Sequence, residues 1–130
     1  MNYNLQIEFE NLSNENFISS FGKDFIIIKN KKYFKNLILI DTLIDVNVGS
    51  NSIFAEDLVR KKIEIISKNR IDFILFGMGK QIGRLPIKTI KLLIKKKIPY
   101  EIMTSVSAFK TYNILLSQGR RTLAFLKLET

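Results

Sequence analysis

The opening of the chain alternates short apolar runs with polar stretches, which predicts β-structure. Phe25 to Ile28 is an apolar, mostly β-branched run, and Tyr33 and Phe34 follow after a polar interruption. The interruption, residues 29–32, predicts a hairpin turn in which Asn30 is suited to a positive φ.

Two further runs, residues 37–40 and 43–48, have the length and patterning of strands. Residues 1–22 are rich in Asn, Ser and Glu, and their scattered apolar positions predict a short strand followed by irregular structure. We therefore expect residues 1–20 to form an irregular arm in front of a β-rich portion.

The middle of the chain predicts one helix and one buried strand. Asn51 or Ser52 is a candidate cap for a helix whose first turn carries Glu56 and Asp57, and which ends near Lys68. Residues 71–76 are almost continuously apolar, as in a strand covered on both faces.

The last part predicts a helix, a strand, a helix and a strand. Pro86 marks a helix start, and the expected inward stripe is Ile87, Ile90, Leu93 and Ile94, opposite Lys88, Lys91 and Lys95. Strands are predicted over residues 100–103 and 122–128. Between them, a helix capped by Thr104 or Ser105 runs to Ser117, with Gly119 placed to end it.

Together these elements predict a single α/β domain over residues 1–130. A right-handed crossover through the second helix makes the strands at residues 71–76 and 100–103 parallel neighbours. No repeat, linker or low-complexity segment divides the chain.

The net charge of +9 is concentrated in the second half. Residues 1–76 carry ten cations and ten acids, whereas residues 77–130 carry eleven cations and two acids. Lysine supplies 16 of the 21 cations, so the total charge by itself is a weak indication of nucleic-acid binding. A positive field of this kind speeds encounter with anionic partners or surfaces.

The chain contains neither Cys nor His. Thiolate nucleophiles, Cys or His zinc sites, and Ser-His or Cys-His dyads are therefore excluded. We expect no metal and no cofactor, and we assign no catalytic residue. The N-terminus lacks a secretory pattern and no apolar run approaches membrane-spanning length, so we expect a cytoplasmic protein.

The segment 101–121 carries a distinctive motif, in which Thr111-Tyr112-Asn113 is followed by a leucine pair and then Gly119-Arg120. Upstream, Phe73 to Gly79 ends in a Gly-Met-Gly turn and Leu85-Pro86 follows. These blocks, with the early hairpin, resemble a small α/β domain family over roughly residues 20–128. That family includes mitochondrial complex I assembly factor 3, the adipogenesis-associated domain protein and uncharacterised bacterial and archaeal members.

The resemblance implies a three-layer fold with a central mixed sheet, helices on one side, and additional strands with a helix on the other. It also implies a non-enzymatic assembly role, in the mitochondrial relative for the respiratory NADH dehydrogenase. The chain departs from the family pattern where it has Thr104 for an Asp, Phe109 for a Cys, Lys110 for an Arg and Gln118 for a Glu. The family's tryptophan before the first helix is also missing, so a catalytic site built on the lost groups is doubtful.

Parallel strands end at one border of a sheet, so the Gly77–Gly79 bend and the start of the third helix are expected to meet there. Backbone amides and polar side chains at that place can hold a carboxylate or phosphate. The candidate ligand-binding residues are Gly77, Gly79, Lys80, Thr104, Ser105, Ser107, Lys110 and Thr111. The alternative is structural: the glycines form a tight turn, and Ser105 and Ser107 only cap the helix.

Two polar residues in the middle of the third helix also call for a tertiary explanation. Tyr112 has no His or thiol partner, so we expect a packed side chain rather than a general acid. Asn113 is expected to hydrogen-bond a neighbouring strand or turn.

The candidate partner-binding residues are Lys88, Lys91, Lys95, Arg120 and Arg121. A lysine-rich helix face is usually a solvated exterior, but it can also rest on anionic lipid or an acidic protein. Specific nucleic-acid binding is not expected, because exposed aromatic residues and an Arg-rich groove are not evident.

The first functional hypothesis is a non-enzymatic interaction protein that assists assembly, with respiratory complex I as the expected client, at the inner face of the membrane. The alternative is a small-molecule, anion-binding protein or an enzyme of unknown reaction that uses the Gly77–Gly79 loop and the helix start at Ser105.

Overall fold

The computed structural model describes residues 3–4, of which only the backbone is described, and residues 17–40, 43–46, 52–66 and 71–130. Its elements in chain order are β1 (Tyr3–Asn4), β2 (Ile18–Phe21), β3 (Ile26–Ile28), β4 (Lys31–Tyr33), β5 (Leu37–Ile40), β6 (Leu43–Asp45), α1 (Glu56–Ile65), β7 (Phe73–Met78), α2 (Ile87–Lys96), β8 (Tyr100–Met103), α3 (Ser105–Ser117) and β9 (Thr122–Lys127).

The central sheet has the strand order β6-β5-β9-β7-β8. Strand β7 is parallel to both β8 and β9, whereas β5 is antiparallel to β9 and β6, so the sheet is mixed. A smaller antiparallel sheet has the order β1-β2-β3-β4. The expected mixed α/β fold and the parallel pairing across the α2 crossover are both confirmed.

Apolar side chains fill both faces of the central sheet. On one face, helices α1 and α2 pack over residues such as Ile74, Phe76 and Phe125. On the other face, α3 and the small sheet pack over residues such as Leu75 and Leu126. The molecule therefore has three layers, as the family resemblance implies.

The opening hairpin is confirmed, with Lys29 at φ 51° and Asn30 at φ 65° in the turn between β3 and β4. Residues 18–20 were expected in an irregular arm but belong to β2, which pairs with both β1 and β3. Ser19 and Ser20 interrupt the apolar pattern, so the strand was not predicted. Its pairing with β1 and β3 cannot be inferred from the local pattern. Residues 3–4 of the expected arm form β1, and its residues 1–2 and 5–16 lie outside the described residues.

Neither of the expected residues, Asn51 or Ser52, is the N-cap of helix α1, which begins later in the chain. Its first residue is Glu56, and the preceding Ala55 makes no side-chain cap. Instead, the Ser52 hydroxyl accepts a hydrogen bond from the Phe54 N–H at 3.1 Å, so Ser52 shapes the turn before the helix. Helix α1 ends at Ile65, before the predicted end near Lys68, which lies outside the described residues.

The expected inward stripe of α2 is wrong at both ends. The helix buries Thr89, Leu92 and Leu93, while Ile87 is 71% exposed and Ile94 is 66% exposed. The Thr89 hydroxyl donates to the Phe54 carbonyl at 2.7 Å, which ties this side of the helix to the segment before α1.

Among the helices that the structure describes, none combines the length and apolar character that crossing a bilayer requires.

Candidate functional site

The glycine bend after β7 lies directly against the start of α3. In the parallel pairing of β7 with β8, Gly77 is opposite Met103, so the two strands end together. The Ser105 N–H donates to the Gly79 carbonyl at 2.9 Å, and the Gly79 N–H donates to the Ser105 hydroxyl at 2.6 Å. The predicted shared border is therefore confirmed.

Glycine is required at position 77 by close packing and at position 79 by the backbone conformation. A Cβ at Gly77 would lie 2.8 Å from the Ala108 Cβ, which is closer than real side chains approach. Gly79 has φ +84°, in the left-handed region that favours glycine. Glycine at these positions lets α3 pack closely on the end of β7.

The Ser105 side chain joins three elements at this border. It is fully buried, accepts from the Gly79 N–H, and donates through its Oγ to the Lys127 carbonyl at the end of β9. One hydroxyl thus satisfies a donor on the bend and an acceptor on the central strand. A second capping contact follows, in which the Thr104 hydroxyl accepts from the Ser107 N–H at 3.4 Å.

The eight candidate ligand-binding residues divide into two groups. Gly77, Gly79 and Ser105 are buried at the junction of β7, α3 and β9. The other five lie at or near the surface around it: Lys80, Ser107 and Lys110 are exposed, and Thr104 and Thr111 are half-buried. Of the buried residues, Gly79 and Ser105 are hydrogen-bonded to each other. An anion-binding role for the group stays a prediction.

Asn113 cross-links α3 to the small sheet, as the sequence predicted. Its Oδ1 accepts from the Ile18 N–H at 2.9 Å, and its Nδ2 donates to the Ile18 carbonyl at 2.7 Å. The side-chain amide therefore acts like one more residue of a strand, next to a register shift in the β2–β3 pairing. Tyr112 is fully buried in the apolar cluster that α3 and the small sheet form over the central sheet.

The candidate partner-binding residues lie in two places. Lys88, Lys91 and Lys95 are exposed on α2. Arg120 and Arg121 precede β9: the Arg121 backbone N–H donates to the Asp72 carboxylate at 2.9 Å, and the Arg120 guanidinium lies 5.7 Å from the Phe73 ring centroid. The Arg120 side chain and the Arg121 backbone therefore both make contacts within the fold.

Sequence reasoning missed an apolar groove of about 320 Å³, which we call the α1 groove. It lies between α1 and the β5–β6 hairpin and is lined by Ile38, Ile40, Leu43, Ile44, Asp45, Lys62, Ile65, Ile66 and Leu123. Lys62 and Asp45, both partly exposed, form an ion pair with each other. No motif marks the groove, because its walls come from four separate elements.

A further ion pair lies on helix α1. On the exposed side of α1, the Glu56 carboxylate accepts from Arg60 Nε at 2.9 Å and raises the pKa of that guanidinium. Over the ranges described above, no three carboxylates come together in a way that could hold a metal ion.

Solved structures share this fold at low sequence identity. A crystal structure of an outer membrane protein from Bartonella henselae is 22% identical, with a TM-score of 0.76 over 89% of this chain and 97% of that chain. A Bordetella parapertussis protein is 18% identical, with a TM-score of 0.75 over 88% of this chain and 96% of that chain. A Bordetella pertussis protein described as a Mth938-like domain is 15% identical, with a TM-score of 0.74 over 98% and 93% of the two chains.

No curated protein matches the chain significantly. A family model described as a protein of unknown function, DUF498/DUF598, matches residues 18–127. This match includes the hairpin, the glycine bend, the helices α1, α2 and α3, and the central strand β9. The chain therefore belongs to the DUF498/DUF598 family.

Proposed function

We propose that the chain is a non-enzymatic interaction protein that assists the assembly of other proteins, with subunits of the respiratory NADH dehydrogenase as its partners. The proposal is carried by one observation, the open α1 groove with Leu43 and Ile65 exposed along it. The resemblance of the α3 motif to an assembly-factor family supplies the identity of the partner.

The α1 groove has the chemistry of a protein-docking surface. Leu43 is 55% exposed and Ile65 is 65% exposed, although both are large apolar side chains. Contiguous exposed apolar surface with a polar rim is typical of interaction sites. The groove accepts apolar side chains of a partner, and the Asp45–Lys62 pair supplies the polar rim.

The same groove is poorly equipped for catalysis. The two ionisable groups in its lining neutralise each other, so the wall presents apolar surface rather than an isolated acid or base. General acid or base chemistry needs a titratable group held within reach of the reacting atoms. Docking is thus the activity that the groove supports best.

The place where the chain acts in the cell follows from the same proposal. Respiratory NADH dehydrogenase is a membrane enzyme, so the chain would act in the cytoplasm at the inner face of the membrane. Peripheral attachment is supported by the basic face of α2, on which Lys88, Lys91 and Lys95 are exposed.

Affinity capture tests the proposal directly. An affinity-tagged chain is expressed in its own host, the membranes are solubilised in mild detergent, and the recovered proteins are identified by mass spectrometry. We expect NADH dehydrogenase subunits with the unmodified chain, and at least about tenfold less with Leu43→Ser combined with Ile65→Ser, because anchor residues dominate binding energy.

The matched control is Phe34→Ser combined with Ile114→Ser, which removes two exposed apolar side chains away from the groove. This variant should recover the subunits as the unmodified chain does. Recovery of no dehydrogenase subunit, or equal recovery with the groove variant, contradicts the proposal. A deletion strain with an intact, fully active dehydrogenase contradicts the assembly role.

A further inference from the structure

The segment that carries α2 combines strong positive charge with exposed isoleucines. Between Asp72 and Glu101 the chain has seven cations and no acid. All seven are exposed: Lys80, Arg84, Lys88, Lys91, Lys95, Lys96 and Lys97. Three large apolar side chains in the same segment are also exposed, namely Ile82 (59%), Ile87 (71%) and Ile94 (66%).

The two isoleucines of the helix lie on the same side as the lysines. Ile87 and Ile94 are seven residues apart, which is close to two helical turns, so they lie in line along the axis. Lys91 lies between them, and Lys88 and Lys95 run alongside, one turn or two apart. The outer face is therefore a row of lysines with an isoleucine near each end.

The inner face of α2 holds this row outward. Thr89, Leu92 and Leu93 are buried against the sheet, and the Thr89 hydroxyl is bonded to the Phe54 carbonyl. The helix cannot rotate to hide its isoleucines without breaking these contacts. The outward placement of apolar groups is thus a fixed property of the fold.

We propose that the outer face of α2 binds the anionic headgroup surface of a phospholipid membrane. The lysine ammonium groups approach the headgroup phosphates, and Ile87 and Ile94 enter the boundary between the headgroups and the acyl chains. This inference deepens the proposed function and rests on it in one respect. A partner embedded in the membrane is what would require the chain to bind the membrane surface.

An acidic protein partner would also match the charge, but the details favour lipid. The cations on the helix are all lysines, which act as flexible point charges, whereas paired carboxylates are better recognised by the rigid fork of arginine. No acid in residues 73–100 is available to fix the register of a folded partner. A surface that has only positive charges, and so does not fix the alignment of a partner, fits lipid headgroups, which move laterally.

Vesicle sedimentation tests the inference with the purified full chain. One vesicle is pure phosphatidylcholine, and the other is an equimolar mixture of phosphatidylcholine and phosphatidylglycerol. We expect binding to the mixed vesicle only, weakened by added salt as exposed charges are screened. Replacing Ile87 and Ile94 by Ser, which leaves the charge unchanged, should weaken this binding about tenfold.

A matched pair of triple variants separates a specific surface from net charge. Changing Lys88, Lys91 and Lys95 to Glu should lower affinity for the mixed vesicle about a hundredfold or more. The control changes three other exposed lysines, Lys23, Lys35 and Lys61, to Glu and has the same net charge. It should retain most of the binding, and circular dichroism checks that every variant is folded.

Three results overturn the inference: no binding to the mixed vesicle, equal loss in the two triple variants, or no effect of the isoleucine change. Binding to an acidic protein or to polyglutamate without vesicle binding assigns the surface to a protein instead. Capture of the dehydrogenase in detergent is measured without a bilayer. Failed vesicle binding with successful capture therefore overturns only the lipid inference, and the reverse result overturns only the proposed partner.

Discussion

Helices α2 and α3 cover opposite faces of the same sheet, yet they use their side chains in opposite ways. Helix α3 buries seven of its side chains, including the polar Ser105 and Asn113, and bonds to the glycine bend, β9 and β2. Helix α2 buries three residues and exposes two isoleucines and its lysines.

This difference separates the parts of the chain that build the fold from the parts that are free to bind. The motif that carries the family resemblance lies largely in α3, where Ser105 and Asn113 are buried and hydrogen-bonded inside the molecule. The apolar and basic surfaces open to a partner lie on the other layer, on α2 and beside α1. The predictions below test this division.

The largest loss of stability is expected when the link between α3 and β2 is removed. Asn113→Leu leaves the buried N–H and carbonyl of Ile18 without their partners. Each of the two unsatisfied buried groups costs about 1–3 kcal/mol, so the free energy of unfolding should fall by about 2–6 kcal/mol in urea titration. Lys110→Leu, on the exposed side of the same helix, should change it by less than about 0.5 kcal/mol. Similar values for the two variants would show that Asn113 does not anchor α3.

The second largest effect is expected at the glycine bend. Gly77→Ala places a methyl group 2.8 Å from the Ala108 Cβ, so strand and helix must separate. Overpacking of this kind costs about 1–3 kcal/mol, measured by urea unfolding. Gly83→Ala is the control, because a Cβ there meets nothing within 4 Å. If both glycines tolerate alanine equally, the close approach of α3 to β7 is wrong.

Ser105→Ala tests whether the Ser105 hydroxyl, at the junction of β7, α3 and β9, has a structural role. It removes the hydroxyl that joins the Gly79 N–H to the Lys127 carbonyl, and should destabilise the chain by about 1–2 kcal/mol. The same variant tests the anion-binding alternative. We expect phosphate, nucleotides and carboxylates to leave the melting temperature of the unmodified chain unchanged. A stabilisation that Ser105→Ala abolishes would instead favour a ligand site.

Thr89→Val probes the inner face of α2 and is nearly isosteric. The loss of the hydroxyl leaves the Phe54 carbonyl unpaired, and we expect a loss of about 1 kcal/mol in thermal or urea unfolding. A neutral result would mean that the hydrogen bond does not hold the orientation of the helix.

The smallest effect on stability is expected on the outer face of the same helix. Ile87→Ser with Ile94→Ser changes two side chains that are mostly in solvent, so the unfolding free energy should shift by less than about 0.5 kcal/mol per substitution. A loss as large as that of Asn113→Leu would show that these isoleucines are packed. The comparison between α2 and α3 would then fail.

Much of the fold could be predicted because its cues are local. Asn30 in a left-handed turn, Pro86 before α2 and the Thr104 cap of α3 are each specified by a few neighbouring residues. The meeting of Gly79 with Ser105 also followed, since parallel neighbours end at one border. The internal bonding of the Ser105 hydroxyl could not be predicted, because it depends on Lys127, a residue 22 positions away.

The sequence by itself determined the types of the elements from Phe25 onward, the parallel pair around the α2 crossover, and the absence of Cys and His chemistry. Periodicity, caps and composition are properties of short segments, so no distant contact is needed to interpret them. Only the tertiary structure decided which side of α2 is buried, because apolar residues lie at positions 87, 90, 92, 93 and 94, around more than one face of the helix. Packing against the sheet and the Thr89 hydrogen bond select the inner face, and this selection leaves Ile87 and Ile94 in solvent.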